Sequence, residues 1–542
     1  MKNGVEEMKK RTVLLMVLVA MVTSLVLAGC ASDTKNSSNA TGEVVKGGEL
    51  TYALATPPDS LDPHRTGYVV ALRVIAQVFD TLITLDEKNE FQPRLATEWN
   101  VSNEGKTYTF KLRDDVKFHD GTPFNAEAVK YNFDRIVDPK TKAGNAIALI
   151  QDYESAEVLG EFEVAIHLSS PNAAFLSNVS QTLLSIVSPT AAEKYGEEFA
   201  YNPVGTGLFK FESYKENAEV KLIKNEDYNW GPVGVENKGP SHLDRLTFKI
   251  VPEEATRVGG IQSGQILVAE TIPPQNISAL EANKEIEIYS QDTIGLPFTL
   301  FFNQTNEPYN DVNVRKAILL GVDVDSIIKT LYLGYYNRSW SPLTPGIYGY
   351  NEKLENSWNY DVEAANKLLD EAGFTVGKDG IRVRDGKRLT LNYVDGAPNR
   401  EKRNDIAVII QQQLKKIGVD VSLNITQDFR TVVYTNADYD LYGNSQINTD
   451  PNSLLSIYQK GALLPRGIDD PELDELLLAG STEQDREKRI DIYAKAQARI
   501  IEQAYIIPIY VFPYIVGTTN EVAGFKFNNL GIPILNDVSF IK

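Results

Sequence analysis

Residues 106–113 show a clear alternation of apolar and polar side chains. Tyr108, Phe110 and Leu112 recur at every second position, with polar residues between them. Successive side chains of a strand point to opposite faces, so this period buries one face and leaves the other polar. The pattern predicts a half-buried strand.

The period then changes to that of a helix. After two short turns, Val129, Phe133 and Ile136 recur at helical spacing. Asn125 can offer its side-chain oxygen to the first free backbone amides, and Pro139 prevents the helix from continuing. The spacing predicts an amphipathic helix that begins after Asn125 and ends before Pro139.

Helix and strand patterns alternate in the second half of the chain. Asp311, Asp325 and Asp361 stand where each can cap a helix. An apolar helical stripe over residues 406–417 is followed by strand-like alternation over residues 419–425. A helix followed by a strand is the order found in an α/β lobe.

Length and charge narrow the class of protein. The chain has 542 residues, with 73 acidic and 54 basic side chains and a formal charge of -19. A chain of this length exceeds a single hydrophobic core, so we expect two or three lobes. The negative charge argues against a nucleic-acid binder, which needs a basic face to meet phosphate.

The amino-terminal pattern predicts export. Residues 9–11 are basic, and residues 12–28 form an apolar run without a charge. The run ends in Leu-Ala-Gly-Cys30, which resembles the bacterial lipobox, where the chain is cut before an acylated cysteine. We expect a signal peptide at 1–29, lipid attachment at Cys30 and a flexible polar linker at 30–47. An uncleaved anchor helix, the alternative, would leave the same topology.

Signatures of catalysis are missing from the sequence. Cys30 is the only cysteine, and the chain has four histidines. It contains neither an H-E-x-x-H metal motif nor a G-x-S-x-G nucleophile elbow. We expect a binding protein without enzymatic activity, catalytic residues, a cofactor or a metal site.

Three phrases carry a family resemblance: GGELTYALATPPDSLDPH (47–64), LRDDVKFHDGTPFNAEAV (112–129) and NPVGTGLFKFESY (202–214). They resemble the extracytoplasmic solute-binding proteins of peptide and nickel ABC importers, family 5. The resemblance implies an α/β fold of the periplasmic-binding-protein type II, with two α/β lobes around a ligand cleft.

The resemblance also implies how the chain is divided. Lobe I is expected at residues 48–294, with an extra subdomain inserted at about 76–203. Lobe II is expected at residues 295–512, and residues 513–542 return to lobe I.

The stretch NSQINTDPNSLL, residues 444–455, resembles the cleft-lining segment of the family. Peptide-binding members carry an aspartate three residues before the D-P phrase, which pairs with the α-ammonium of the peptide; Ile447 stands at that position. Asp450 is the candidate replacement, and the alternative is a carboxylate that caps the following turn. Asn452 follows in the same phrase.

Three further side chains are candidates for ligand contact. Tyr442 and Trp340 offer rings that can stack on a ligand or fill its pocket. Arg315 is a candidate partner for a ligand carboxylate, with a solvated helix arginine as the alternative.

The expected function is that of a monomeric, lipid-anchored substrate-binding protein at the bacterial cell surface or in the periplasm. It would capture short peptides by lobe closure and deliver them to the permease subunits of an ABC importer. One alternative is the same scaffold with a nickel-metallophore or another small solute, such as an oligosaccharide. The other is a surface lipoprotein that acts as an enzyme or adhesin rather than in transport.

The lipid anchor gives a first testable prediction. Cys30→Ser should release the protein from the membrane fraction, because the acylated sulfur is lost. Immunoblots of membrane and soluble fractions measure this, with Ser38→Ala in the polar linker as the matched control. Continued membrane retention of the Cys30→Ser protein would contradict the anchor at this position.

Overall fold

The structure is a computed structural model that describes residues 43–463 and 465–542. The signal peptide, Cys30 and most of the expected linker lie outside the described residues. Within them, no helix has both the length and the apolar character needed to cross a membrane.

A seven-stranded mixed sheet forms the centre of lobe I. Its middle strands are parallel and pair Leu50 with Leu246 and Tyr52 with Val268. In spatial order the strands are Ile286–Asp292, Pro513–Thr519, Val268–Glu270, Glu49–Leu54, Arg245–Ile250, Glu219–Lys224 and Phe209–Lys215.

A six-stranded mixed sheet forms the centre of lobe II. Three of its strands are parallel, with Tyr393 paired to both Leu423 and Leu441. In spatial order the strands are Asn337–Arg338, Ile506–Val511, Gly295–Phe302, Leu441–Ile447, Thr390–Gly396 and Asp420–Thr426.

Two adjacent crossings join these sheets. The chain leaves the first sheet at Asp292 and enters the second at Gly295, and it returns between Val511 and Pro513. The crossings contact each other, because the backbone amide of Thr293 donates to the carbonyl of Phe512 at 2.9 Å. The two-lobed α/β architecture expected from the sequence is confirmed.

Smaller elements complete the described structure. A four-stranded antiparallel sheet consists of Ala96–Ser102, Thr107–Leu112, Glu163–Leu168 and Tyr153–Gly160. Short strands are Val44–Val45, Ser539–Ile541, Val522–Ala523, Thr375–Val376, Arg382–Arg384, Lys387–Arg388, Lys526–Phe527, Pro533–Ile534, Ile83–Leu85 and Phe91–Pro93. The α-helices are Val69–Val78, Ala126–Val137, Gly144–Leu149, Phe175–Val179, Pro189–Tyr195, Glu254–Gln262, Pro274–Glu281, Val312–Gly321, Val324–Tyr332, Val362–Glu371, Arg403–Lys415, Ser453–Tyr458, Pro471–Thr482 and Arg486–Glu502.

The first predicted strand and helix are confirmed. Tyr108, Phe110 and Leu112 are buried on the strand Thr107–Leu112. Asn125 caps the helix Ala126–Val137 by accepting a hydrogen bond from the amide of Ala128 at 3.0 Å. The strand period of two residues and the helical spacing of the apolar side chains therefore identified the buried faces of this strand and this helix.

One predicted cap is wrong. Asp325 lies inside the first turn of the helix Val324–Tyr332, and Asp323 is the residue that accepts from the amide of Ser326, at 3.0 Å. Asp323 and Asp325 have the same side chain and therefore the same ability to cap a helix. Only the backbone conformation decides which of them directly precedes the first helical residue.

A buried histidine makes stability depend on pH. Nε2 of His64 lies 3.0 Å from the carbonyl of Ser185, and Nη1 of Arg135 donates to Nδ1 of His64 at 2.6 Å. A ring nitrogen that accepts a hydrogen bond is unprotonated, so the imidazole is neutral. Burial first, and the charge of Arg135 second, lower the pKa of His64 to about 4.

The free energy of unfolding should therefore fall as the pH drops below 6.5. The pKa of His64 is depressed in the folded state, so its contribution is fully present above pH 6.5 and is lost down to about pH 4. The loss from this group is on the order of 3 kcal/mol. Urea unfolding at pH 7 and pH 4.5 measures it, and His64→Gln should reduce the pH dependence. An unchanged pH dependence in the variant would contradict this assignment.

Candidate ligand-binding cleft

The parallel strands of lobe II end together at one edge of the sheet. Gly396 and Thr426 are paired at the ends of their strands, and Ile447 ends the third. In open α/β sheets, ligands bind in the crevice outside the carboxyl ends of the strands, where the strand order reverses. This edge is therefore the candidate ligand-binding edge of lobe II.

The corresponding edge of lobe I is occupied by a satisfied charge cluster. The carboxylate of Glu270 accepts from the amide of Ala55 at 2.9 Å and from the hydroxyl of Tyr514 at 2.7 Å. Arg73 lies 3.0 Å from the same carboxylate. Glu270 is 1% exposed, so these partners hold the cluster within the lobe rather than leaving it free for a ligand.

A cavity of about 170 Å³ lies on one face of the lobe II sheet. Aromatic and aliphatic side chains, hydroxyls and amides line it, and among the described lining residues none carries a carboxylate, ammonium or guanidinium group. Tyr442 and Phe301 stack there with ring centroids 5.3 Å apart. The lining residues are Leu296, Phe301, Tyr434, Tyr442, Asn444, Ser445, Gln446, Ser456, Ile457 and Leu463.

The sequence pointed to this stretch without identifying its individual contacts. Tyr442 was singled out, whereas Asn444, Gln446 and Ser456 were not. Their polar side chains resemble those of any surface loop, so the sequence carries no signal that separates them. The strand Leu441–Ile447 turns Tyr442, Asn444 and Gln446 to one face, because alternate residues of a strand share a face.

Ile447 brings no charge to the edge. It is half-buried and pairs with Gly295, the first residue of the neighbouring strand. Gly295 has φ of +135°, and an added Cβ would approach the carbonyl oxygen of Gln446 to 2.3 Å. The backbone at this point is tightly packed, and the side chain at position 447 is apolar.

Asp450 is held in a buried ion pair. Its two carboxylate oxygens accept from Nη1 and Nη2 of Arg489 at 2.8 and 2.6 Å. Its Oδ1 also accepts from the amide of Asn452 at 2.8 Å, which is the turn-capping role that the sequence offered as the alternative. Because Arg489 already neutralises the carboxylate, Asp450 is not available as a replacement anchor for a ligand ammonium.

Asn452 also supports the local fold. Its Oδ1 accepts from the hydroxyl of Tyr493 at 3.2 Å, and its backbone begins the helix Ser453–Tyr458. The side chain thus fixes the end of the cleft-lining segment against the long helix Arg486–Glu502.

Trp340 lies in a structural stack. The guanidinium of Arg338 sits 3.5 Å from its ring centroid and 4.5 Å from that of Trp358. Trp340 follows the edge strand Asn337–Arg338, three strands away from Leu441–Ile447 in the sheet. Contact with a ligand at the carboxyl edge does not fit this position.

Arg315 differs from both interpretations offered by the sequence. It is 3% exposed, so it is not a solvated helix arginine. Its guanidinium donates to the carbonyls of Tyr309, Asn310 and Gln503 at 2.9 to 3.2 Å. With its donors used by backbone carbonyls, Arg315 stabilises lobe II rather than binding a ligand carboxylate.

Two residues of the stretch expected to be an inserted subdomain contact lobe II directly. Ser177 donates its hydroxyl hydrogen to Oγ1 of Thr449 at 2.6 Å, and the amide of Ala173 donates to the carbonyl of Ser481 at 2.9 Å. Lobe II is therefore in contact with the rest of the chain at the two crossings and again through these two hydrogen bonds.

Comparisons with known proteins agree with this architecture. The family model described as bacterial extracellular solute-binding proteins, family 5 Middle, matches residues 90–462. The glutathione-binding protein GsiB of Escherichia coli strain K12 is 30% identical over 403 residues, 74% of this chain and 72% of the relative.

Solved structures show the same fold. The periplasmic binding protein DppA of Helicobacter pylori, in complex with the peptide STSA, has a TM-score of 0.76 and 26% identity, and the match covers 92% of this chain and 99% of that one. NikA of Brucella suis, in complex with Fe(III)-EDTA, has a TM-score of 0.79 at 24% identity over 91% of this chain and 100% of that one.

The fold and cleft define an extracytoplasmic substrate-binding protein of an ABC transporter. The chain belongs to the bacterial extracellular solute-binding proteins, family 5. Its homologues are solute-binding proteins rather than enzymes.

The buried pair gives a prediction about Asp450. Asp450→Ala should lower the free energy of unfolding by about 3 kcal/mol, because it leaves a buried guanidinium unpaired. Asp469→Ala, which removes an exposed carboxylate 2.9 Å from Lys460, is the control and should change stability little. Urea unfolding measures both variants. Wild-type stability of Asp450→Ala, combined with loss of ligand, would instead restore Asp450 as an anchor.

Proposed function

We propose that the protein captures short peptides outside the cell by lobe closure and delivers them to the permease subunits of an ABC importer. It would act as a monomer held at the membrane by the lipid on Cys30. The observation that carries the peptide assignment is the uncharged cavity beside the cleft-lining strand, with its aromatic rings and amide and hydroxyl groups.

Such a lining suits a ligand recognised through its backbone. Asn444, Gln446 and Ser456 can exchange hydrogen bonds with peptide groups of any sequence. Tyr434 and Tyr442 offer ring faces to apolar side chains of varied shape. A lining without charge does not select for one charged side chain.

The relatives support the same ligand class. GsiB is named for binding glutathione, itself a short peptide, and DppA was solved with the peptide STSA. A chelated metal is the second candidate, since NikA was solved with Fe(III)-EDTA, but that likeness concerns the fold alone. Residues 293–542 contain no histidine, which argues against direct ligation of nickel by a lobe II histidine and favours a metal held through its carrier.

Co-purified ligand tests the proposal first. Native mass spectrometry of the protein beginning at Val44, before and after gentle unfolding, should release a ladder of masses that fit short peptides. A single mass of a chelate or a sugar would contradict the peptide assignment and leave the family membership intact.

Closing the cavity should abolish uptake. Ser456 is exposed on the helix beside the cavity, so Ser456→Trp should fill the opening without disturbing the core. Ser278→Trp, at an exposed site on the helix Pro274–Glu281 of lobe I, is the matched control. Uptake of labelled tripeptides by cells should fall at least tenfold for the first variant alone, with surface amounts equal. Unchanged uptake would count against this cavity, and enzymatic turnover of the tripeptides would count against a role in transport alone.

A further inference from the structure

The carboxyl edge of the lobe I sheet has a cavity of its own, in addition to the paired cluster around Glu270. The strand Glu49–Leu54 ends at this edge, and the amide of Ile250 on the neighbouring parallel strand donates to the carbonyl of Ala218 at 2.8 Å. The turn at 216–218 therefore lies beside these strand ends. Residues of this turn and of the segment after Leu54 line a cavity of about 210 Å³. Ligands of open α/β sheets bind outside strand ends of this kind.

Tyrosine rings form much of the wall of this lobe I cavity. Tyr201 and Tyr214 stack with ring centroids 5.8 Å apart, and the hydroxyl of Tyr214 donates to the carbonyl of Pro58 at 3.4 Å. Tyr201 is 48% exposed and Tyr68, which also lines the cavity, is 57% exposed. Aromatic rings stabilise folds and interfaces through buried area, so two exposed rings on one cavity point to a bound group.

Carboxylates stand on the same cavity. Glu216 and Asp59 both line it, and both are exposed. Oδ1 of Asp59 accepts from the hydroxyl of Thr66 at 2.6 Å, and Oδ2 accepts from the amide of Gly67 at 2.7 Å. These donors are neutral, so they position the loop before Tyr68 without cancelling the charge. Among the residues that the structure describes, neither carboxylate has an ion-pair partner.

Basic side chains are absent from the described lining of the lobe I cavity. Arg65, which is close in sequence, donates to the backbone carbonyl of Glu197 at 3.3 Å. Lys215 directly follows Tyr214 on its strand, and adjacent residues of a strand point to opposite faces. The negative charge at the rings is therefore not compensated by the neighbouring chain.

The electrostatic environment of Tyr214 agrees with this placement. Burial first, and then the charges of Glu216, Tyr201 and Asp59, raise the pKa of Tyr214. A nearby negative charge raises the pKa of a phenol because it disfavours the phenolate. Both carboxylates thus act at the ring, where a cation would be attracted by the ring face and by the carboxylates together.

We propose that the lobe I cavity binds a cationic group of the ligand, an ammonium or a guanidinium. This inference rests on the proposed peptide function and adds the chemical feature that lobe I selects. Tyr68, Tyr201 and Tyr214 offer ring faces, and Glu216 and Asp59 supply the compensating charge. The cation is either the α-ammonium of the peptide or a lysine or arginine side chain.

Paired tripeptides distinguish the two sources of the cation. The full chain, purified in detergent from membranes, is dialysed against a mixture of Ala-Lys-Ala and Ala-norleucine-Ala, in which only the side-chain ammonium differs. A second mixture contains Ala-Leu-Ala with and without an N-acetyl cap. Bound peptides are quantified by mass spectrometry. The wild-type protein should prefer the cationic member of at least one pair by about tenfold.

Variants at exposed positions test the assignment to this cavity. Glu216→Gln should reduce the preference to about threefold, because an exposed carboxylate contributes modestly. Tyr201→Ala should also reduce it, because one ring face is lost. Glu198→Gln changes an exposed glutamate outside the lining and is the matched control, which should keep the wild-type preference. All three variants should keep the melting temperature of the wild-type protein, since the substituted positions are exposed.

The remaining outcomes are distinct. A preference that both Glu216→Gln and Tyr201→Ala retain in full would place the cation elsewhere and overturn the proposal. Equal retention of both members of each pair by the wild-type protein would keep the peptide function and overturn the cation site. Retention of no tripeptide, with the protein folded, would overturn the peptide function and the cation site with it.

Discussion

The contact between the two chain crossings is the constraint on which the cleft depends. Thr293 donates both its amide and its hydroxyl hydrogen to the carbonyl of Phe512, at 2.9 and 2.8 Å. On either side, Asp292 pairs with Pro513 in one sheet and Phe298 with Tyr510 in the other. Hinges in domain closure consist of a few residues at the ends of regular elements, and this short two-stranded connection has that form.

Charge compensation identifies several buried charged residues of both lobes as structural. Asp450 and Glu270 are acidic groups near the strand ends, but each is already paired with an arginine. Arg315 and Arg403 are likewise buried and have protein acceptors. Each of these buried charges therefore has a protein partner that holds it within its lobe.

Local patterns in the sequence were most informative for features that lie within a single strand or helix, such as the buried face of a strand or the cap of a helix. Tyr108, Phe110 and Leu112 are buried as their period of two requires, and Asn125 caps the helix that follows it. Asp325 was mistaken for a cap because Asp323 stands two residues before it. The family resemblance added the stretch 444–455, and three of its residues, Asn444, Ser445 and Gln446, line the cavity together with Tyr442 and with Ser456 beside its end.

By itself the sequence determined the two-lobed α/β class, because periodicity, caps and family phrases are properties of neighbouring residues. Only the tertiary structure decided which charges are paired. Arg489 follows Asp450 by 39 residues, so no local pattern shows that these two side chains form an ion pair. Pairing of buried charges is a property of distances in space, and the folded chain alone sets those distances.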